Sequence, residues 1–152
     1  MKSFSFSLSS VLKYKNQVLN NLVIEYGEIA NQVNKKREEI SKIDEHLKSV
    51  DTNFKHKKSD YFYPQEAIAY ENYLDSVNSK KENEIQKLKY LKNKEENKKN
   101  EVIEAKLESS SIDKLKERRF KEYQYGVDKS TEQMIEEFIR TQDYLKNKNN
   151  YW

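Results

Sequence analysis

Hydrophobic residues recur in the first third of the chain at a spacing that alternates between three and four residues. Nine consecutive positions follow this spacing, and all but Lys36 are apolar: Tyr26, Ile29, Val33, Lys36, Ile40, Ile43, Leu47, Val50 and Phe54. The residues between them are almost all polar. Because this period keeps one narrow apolar stripe on a single helix face, it predicts a long amphipathic helix that pairs with another helix.

The ends of this first helix can be placed from local signals. Apolar residues take up helical spacing from Leu8 onward, and serines before it are suitable caps. We therefore expect the first helix at about residues 5–57. Pro64 is the only proline, and its position just before polar helix formers is typical of a first helical turn. These signals predict a turn at residues 58–64.

The second helix is predicted to be the longer one, at about residues 65–146. Its apolar positions are interrupted by a wholly polar run from Lys92 to Glu101. Three consecutive serines favour a kink at residues 109–111. The pattern stops near residue 147, so we expect a frayed tail at residues 147–152.

The composition favours few, long elements. The chain of 152 residues is 36% charged and 35% hydrophobic, with two Gly, one Pro and no Cys. A fold of many short elements needs more Gly and Pro residues in its turns than this chain contains. We predict an all-α fold with one coiled-coil domain over residues 1–152. Its architecture is a long antiparallel two-helix coiled coil, that is, a helical hairpin whose second helix is longer than the first.

Two registers of the hairpin are open from the sequence. A tight turn at Pro64 sets Leu8 against the region of Lys114 and leaves the C-terminal third of the chain as an uncovered helix. In the alternative register, Leu8 faces Thr141 and residues 60–95 protrude. We favour the tight hairpin, because short connections are the rule between antiparallel neighbours.

Little in the sequence points to catalysis, to a cofactor or to a metal. His46 and His56 are the only histidines, and neither has a partner at a metal-ligand spacing. There is no Gly-rich phosphate loop and no nucleophile elbow. We therefore expect a protein that is not an enzyme and that needs no cofactor or metal.

Charge and hydropathy restrict the kinds of partner and the cellular location that we expect for this chain. The formal net charge is only +3, with 29 basic residues interleaved among 26 acidic ones, which argues against a nucleic-acid surface. No apolar run approaches the length of a membrane span. The apolar residues near the start of the chain alternate with serines, so they do not form the continuous hydrophobic block of a signal peptide. We expect a cytoplasmic protein.

The densest local signal lies between Leu115 and Tyr123, where basic residues surround Phe120. Only four Arg occur in the chain against 25 Lys, and Arg118 and Arg119 are adjacent here. Arg offers planar, bidentate pairing that Lys does not. A charged helix flank, supported by ion pairs one turn apart, is the other interpretation.

These segments resemble a known family. The opening from Phe4 to Lys15, with alternating Phe followed by Leu and Val-Leu, resembles the start of the flagellar export protein FliJ. The segment Leu115–Tyr123 is similar to that family's Leu-Lys-Glu-Arg-Arg signature. Thr131–Phe138 is similar to the pattern that follows it, although Met134 and Glu136 depart from that pattern.

The resemblance implies a soluble component of the flagellar type III export apparatus. Such a protein is an antiparallel coiled coil that binds the export ATPase ring, contacts the membrane export gate and escorts export chaperones. It would associate peripherally with the inner face of the cell membrane at the flagellar base.

The resemblance also implies two partner faces. The ATPase ring would contact residues at the two chain ends: Phe4, Phe6, Leu8, Arg118, Arg119, Phe120 and Tyr123. The export gate would contact a stripe on the second helix: Tyr70, Leu74, Val77 and Lys81. Packing of this stripe in the seam between the helices is an equally good interpretation.

Two other functions remain open. The chain could be a structural coiled-coil spacer or a self-associating rod with no export role. It could instead be a secretion chaperone that binds exported subunits directly.

Overall fold

A computed structural model describes residues 2–60 and 63–150, except for the side chains of residues 58–60. It contains helix α1 (Ser9–Asp60) and helix α2 (Pro64–Asn150), and the residues it describes include no strand. The two helices pack against each other as a hairpin, and α2 is the longer one. The predicted fold class is confirmed.

Helix α1 begins at Ser9 rather than near residue 5. Its first turn is marked by the Ser9 amide, which donates to the Phe6 carbonyl over 3.2 Å, and by the Leu12 amide, which donates to the Leu8 carbonyl over 2.9 Å. The preceding residues are non-helical, and the Phe4 ring packs against the Phe120 and Tyr123 rings of α2. Phe6 is buried.

Helix α2 begins at Pro64, in agreement with the expected role of this residue in a first turn. The Tyr63 carbonyl accepts the Glu66 amide at 3.0 Å and so closes that turn. Of the predicted turn at residues 58–64, Tyr61 and Phe62 lie outside the described residues.

The serines at residues 109–111 do not interrupt α2. The Ser111 hydroxyl donates to the Leu107 carbonyl over 2.8 Å, and the Ser109 hydroxyl donates to the Asn16 side chain. Both hydroxyls are therefore satisfied within a continuous helix. The helix continues past the predicted end at residue 146 to Asn150, with basic Lys148 in its last turn, where the helix dipole favours positive charge. The final two residues of the predicted frayed tail lie outside the described part of the chain.

Packing divides the chain into two compact units. The first combines the residues before Val18 with those after Ala105, and the second is Val18–Ala105. The prediction of a single domain over residues 1–152 stays a prediction.

The first unit fixes the register of the hairpin. Lys15 Nζ lies 2.8 Å from Glu108 Oε2, and Ser109, the next residue, bonds to Asn16. These pairs set Leu8 against the region of Lys114, as the tight hairpin requires. They exclude the register in which Leu8 faces Thr141.

The second unit has a thin apolar seam with Val33 as its most buried residue, at 2% exposure. Leu88 and Leu91 fall opposite Val33 in this register, and both are half-buried. Toward the turn, the rings of Phe54 and Tyr70 stack in parallel with their centroids 3.8 Å apart. A seam of single side chains has no second layer behind it, so each apolar position contributes a large share of the stability.

Polar residues fill several seam positions of the second unit. Lys36 Nζ lies 2.6 Å from Glu84 Oε2 across the helices. Lys98, inside the predicted polar run, lies 2.9 Å from Glu25. The polar run is therefore part of the seam, and opposite charges replace the apolar contacts there.

Glu84 makes this seam sensitive to acid. The hydrogen bond from Lys36 and a second one from Lys87 hold the Glu84 pKa below its usual value of 4.5, although burial opposes them. The same contact with Glu84, followed by one with Glu39, raises the Lys36 pKa. Since the carboxylate pKa is lowered on folding, Glu84 stabilises the fold above its unfolded pKa, and this stabilisation is lost as pH falls through the folded pKa.

We expect Glu84→Gln to lower the melting temperature at neutral pH. When the pH falls from about 5 to about 2, the melting temperature of this variant should decrease less than that of the wild type, because the glutamine has no carboxylate to protonate. Thermal unfolding followed by circular dichroism measures this. Glu82→Gln, on the same helix at an exposed position, is the control and should keep the wild-type acid dependence. Equal acid dependence of Glu84→Gln and the wild type would contradict the role of Glu84.

Candidate functional site

The N-terminal segment, residues 2–8, lies on helix α2 within the first unit. The Phe4 ring meets the Phe120 ring edge-on, with centroids 5.2 Å apart, and lies 5.5 Å from the Tyr123 ring. The Tyr123 hydroxyl donates to the Lys2 carbonyl over 2.7 Å. We call Phe4, Phe120 and Tyr123 the aromatic cluster. It joins residues more than one hundred positions apart in sequence into one surface.

This surface is only partly covered. Phe6 is buried against the hairpin, whereas Phe120 is 41% exposed and Leu8 is 37% exposed. Edge-to-face ring pairs stabilise a cluster beyond the area that they bury. The contacts among its own rings therefore hold the cluster in place, while part of its apolar surface stays exposed.

A groove of about 380 Å³ runs between the N-terminal segment and α2. Its lining combines residues 2–7 with Arg119 and Tyr123. Among the described residues, the charged residues that line it are Lys2 and Arg119, and both are basic. Arg118 is exposed and does not line the groove. The site can therefore accept an acidic or carbonyl-rich partner segment beside aromatic rings.

The predicted ring-facing residues are thus brought together to different degrees. Phe4, Phe120 and Tyr123 touch, and Arg119 shares the groove with Phe6. The sequence did not single out Lys2, whose carbonyl anchors Tyr123. No local pattern identifies such a residue, because its role depends on the path of the backbone.

The predicted gate-facing stripe lies along the seam of the second unit. The Tyr70 ring stacks on Phe54, and its hydroxyl donates to Asp51 over 3.2 Å. Burial, followed by this hydrogen bond, raises the Tyr70 pKa. Lys81 forms an ion pair with Asp44. Two of the four predicted residues are therefore engaged within the hairpin.

The other two members, Leu74 and Val77, are half-buried. Val77 and Ile43 line a groove of about 300 Å³. The groove is lined further by residues that the prediction did not include: Lys42, His46, Tyr73 and Lys80. His46 Nε2 lies 2.5 Å from the Tyr73 hydroxyl. In the sequence, the only signal for this groove is that basic residues, Lys42 and Lys80, lie beside apolar seam positions.

Within the described residues, no group of acidic and histidine side chains is arranged to hold a metal ion. No described helix has an apolar stretch long enough for a membrane crossing. Both grooves combine aromatic or aliphatic side chains with basic residues in their lining.

The described residues form a helical coiled-coil hairpin with an aromatic and basic surface at its N-terminal segment. A sequence model of the family described as Flagellar FliJ protein matches residues 4–148, nearly the whole chain. The chain belongs to the FliJ family, and its role is related to flagellar export. This family is a non-catalytic component of that process. Neither a curated protein nor a solved structure gave a match.

Proposed function

We propose that this chain is the stalk-like coiled coil of the flagellar type III export apparatus. It binds the export ATPase ring, links the ring to the membrane export gate and escorts export chaperones. It acts at the inner face of the cell membrane at the flagellar base. The observation that carries the proposal is the aromatic cluster, in which the N-terminal segment and α2 form one partly exposed surface in a member of the FliJ family.

The ring-facing surface has the composition of a binding hot spot. Exposed Phe120 and Leu8 lie in the same unit as Arg119, and aromatic residues with Arg dominate the energy of protein interfaces. The ring contacts of Phe4 and the hydrogen bond from Tyr123 order this surface before binding. Preorganisation reduces the entropy lost on association.

The gate-facing surface is supported by the groove at Val77. Lys42 and Lys80 line it together with apolar side chains, which suits an extended acidic segment with apolar side chains. Tyr70 and Lys81 contribute by holding the two helices in register beside this groove. In this proposal Leu74 and Val77 supply the contacts with the gate.

Affinity capture from a lysate of the native cell tests the proposal. Tagged protein should recover the export ATPase, gate proteins and export chaperones, identified by mass spectrometry. Recovery of exported filament proteins without the ATPase would favour a secretion chaperone. Recovery of this chain alone would favour a structural rod and contradict the proposal.

Leu74→Asp separates the gate contact from seam packing in the same experiment. Capture is performed at low temperature, where a destabilised hairpin remains folded, and folding is checked by circular dichroism. We expect the gate proteins to be lost while the ATPase is retained. A variant that melts at a lower temperature but still captures the gate would remove this stripe from the gate contact.

A further inference from the structure

The N-terminal segment has the pattern of a single β-strand that lies on a helix. Residues 2–6 belong to neither a helix nor a turn, and no described residue other than glycine has a positive φ. The three serines of the segment are exposed, whereas Phe4 is half-buried and Phe6 is buried. This alternation has the period of an extended backbone, in which successive side chains point to opposite faces.

The backbone of this segment is largely unpaired. The Lys2 carbonyl accepts the Tyr123 hydroxyl over 2.7 Å, and the Phe6 carbonyl accepts the Ser9 amide. Among the described residues, none accepts a hydrogen bond from the amides of residues 3–7. Helix α2 cannot supply such partners from its backbone, because its own amides and carbonyls are paired within the helix. The segment therefore presents free main-chain donors and acceptors.

The sequence of the segment leaves this backbone accessible. Natural proteins usually block an unpaired strand edge with proline or with charged side chains. Residues 3–8 read Ser-Phe-Ser-Phe-Ser-Leu and contain neither. The exposed side chains beside the backbone are mainly serines, whose small size leaves room for a second strand.

The groove beside the segment indicates the chemistry of that strand. It is lined by residues 2–7 together with Arg119 and Tyr123 of α2, and its volume is about 380 Å³. The charged side chains in this lining are Lys2 and Arg119, as far as the chain is described. An extended acidic segment satisfies both features, since its backbone can pair with the free amides and its carboxylates with the two basic groups. A partner helix could not, because its backbone groups are already used.

We propose that the N-terminal segment binds its partner by strand addition, in which an extended acidic segment lies in this groove and forms main-chain hydrogen bonds with residues 3–7. Apolar side chains at alternate positions of the partner pack on Phe4, and its carboxylates pair with Lys2 and Arg119. Assigning the acidic segment to the export ATPase ring rests on the proposed function. The mode of pairing rests on the contacts of this chain alone.

A short synthetic peptide of alternating Glu and Val, fluorescently labelled and titrated with the purified full chain, tests the main-chain pairing. Two further peptides carry N-methyl groups, one on every Glu amide and the other on every Val amide. Because successive amides of a strand point to opposite edges, only one of these sets faces the N-terminal segment. We expect one methylated peptide to bind at least about tenfold more weakly and the other to bind like the unmodified peptide. Equal affinities of the two methylated peptides, or no binding of the unmodified one, would overturn the proposal.

A charge exchange tests the basic side of the groove. Arg119→Glu should weaken binding of the Glu-Val peptide several-fold and should bind a Lys-Val peptide more tightly than the wild type does. Lys116→Glu makes the same change in charge at an exposed position outside the groove lining, so it should keep the wild-type preference for the acidic peptide. Equal shifts in the two variants would mean that net charge alone selects the peptide, which contradicts the proposal.

Hydrogen exchange followed by mass spectrometry locates the bound peptide. The amides of residues 3–7 should exchange more slowly when the Glu-Val peptide is added. If these amides are already protected without peptide, in a chain that sediments as a dimer, the occupant is a second copy and the proposal is overturned.

These measurements contain no export protein, so their outcome is separate from that of the proposed function. Failure of peptide binding, with the ATPase still recovered by affinity capture, would overturn strand addition and leave the proposed function standing. Peptide binding with the expected methylation pattern, without recovery of the ATPase, would support strand addition and contradict the proposed function.

Discussion

Replacing Val33 by Asp should lower the free energy of unfolding by on the order of 3 kcal/mol, because it leaves an unpaired carboxylate in an apolar environment. Val33 is 2% exposed, and the apolar residues Leu88 and Leu91 fall opposite it in the tight register. Natural domains have stabilities of about 5–15 kcal/mol, so a loss of this size is a large part of the total.

Chemical denaturation followed by helical circular dichroism measures this effect. Val23→Asp is the matched control, because it introduces the same charge on the same helix at a position that is 48% exposed. Its effect should stay within about 0.5 kcal/mol. Equal destabilisation by the two substitutions would mean that the seam does not run through Val33.

Reversing the charge of both Arg118 and Arg119 to Glu should weaken binding of the purified export ATPase by at least about tenfold, as expected for a hot spot. Arg119 lines the basic groove under the N-terminal segment, and Arg118 extends the positive charge on the adjoining helix surface. Neither arginine side chain is buried, so helicity and melting temperature should not change. Titration of fluorescently labelled chain with the ATPase gives the affinity.

The control for this substitution makes the same change in charge on the same helix. Lys114 and Lys116 are exposed and do not line the groove, so the reversal Lys114→Glu with Lys116→Glu should weaken binding only slightly and mainly at low salt. If both double variants bind like the wild type, the arginines are not part of the ring contact. If both lose binding equally, the attraction depends on net charge alone.

The hairpin could be predicted from the sequence because the heptad period is a local property. The stripe from Tyr26 to Phe54 determines a helix face whatever the rest of the chain does. Opposite charges at seam positions, such as Lys36 and Glu84, also favour one register of the hairpin. A single lysine in an apolar stripe does not by itself identify which acidic residue of the second helix it faces.

The N-terminal surface could be predicted only in part. Phe4 and Phe6 alternate with serines, and apolar residues at helical spacing follow directly after them, so the sequence predicts a helix that begins near residue 5. In the structure these residues remain outside the helix and pack against α2. Contacts such as that of Phe4 with Phe120 depend on the register of the whole hairpin, which no short motif encodes.

The partner faces were the hardest to predict, because seam and surface share one apolar period. Tyr70 and Lys81 follow the same spacing as Leu74 and Val77, yet the first two are engaged by α1. The stripe at Met134 and Phe138 has that spacing too and is exposed. Only the extent of the opposing helix distinguishes these cases.

The tight register is the central claim, since it brings Phe4 onto Phe120 and leaves residues 128–150 of α2 exposed. Oxidation of paired cysteines introduced into the full chain at low protein concentration tests it most directly. The account predicts an intramolecular disulfide for Asn16→Cys with Ser109→Cys and none for Leu8→Cys with Thr141→Cys. An intramolecular disulfide in the second pair, with none in the first, would contradict the tight register and the aromatic cluster that depends on it.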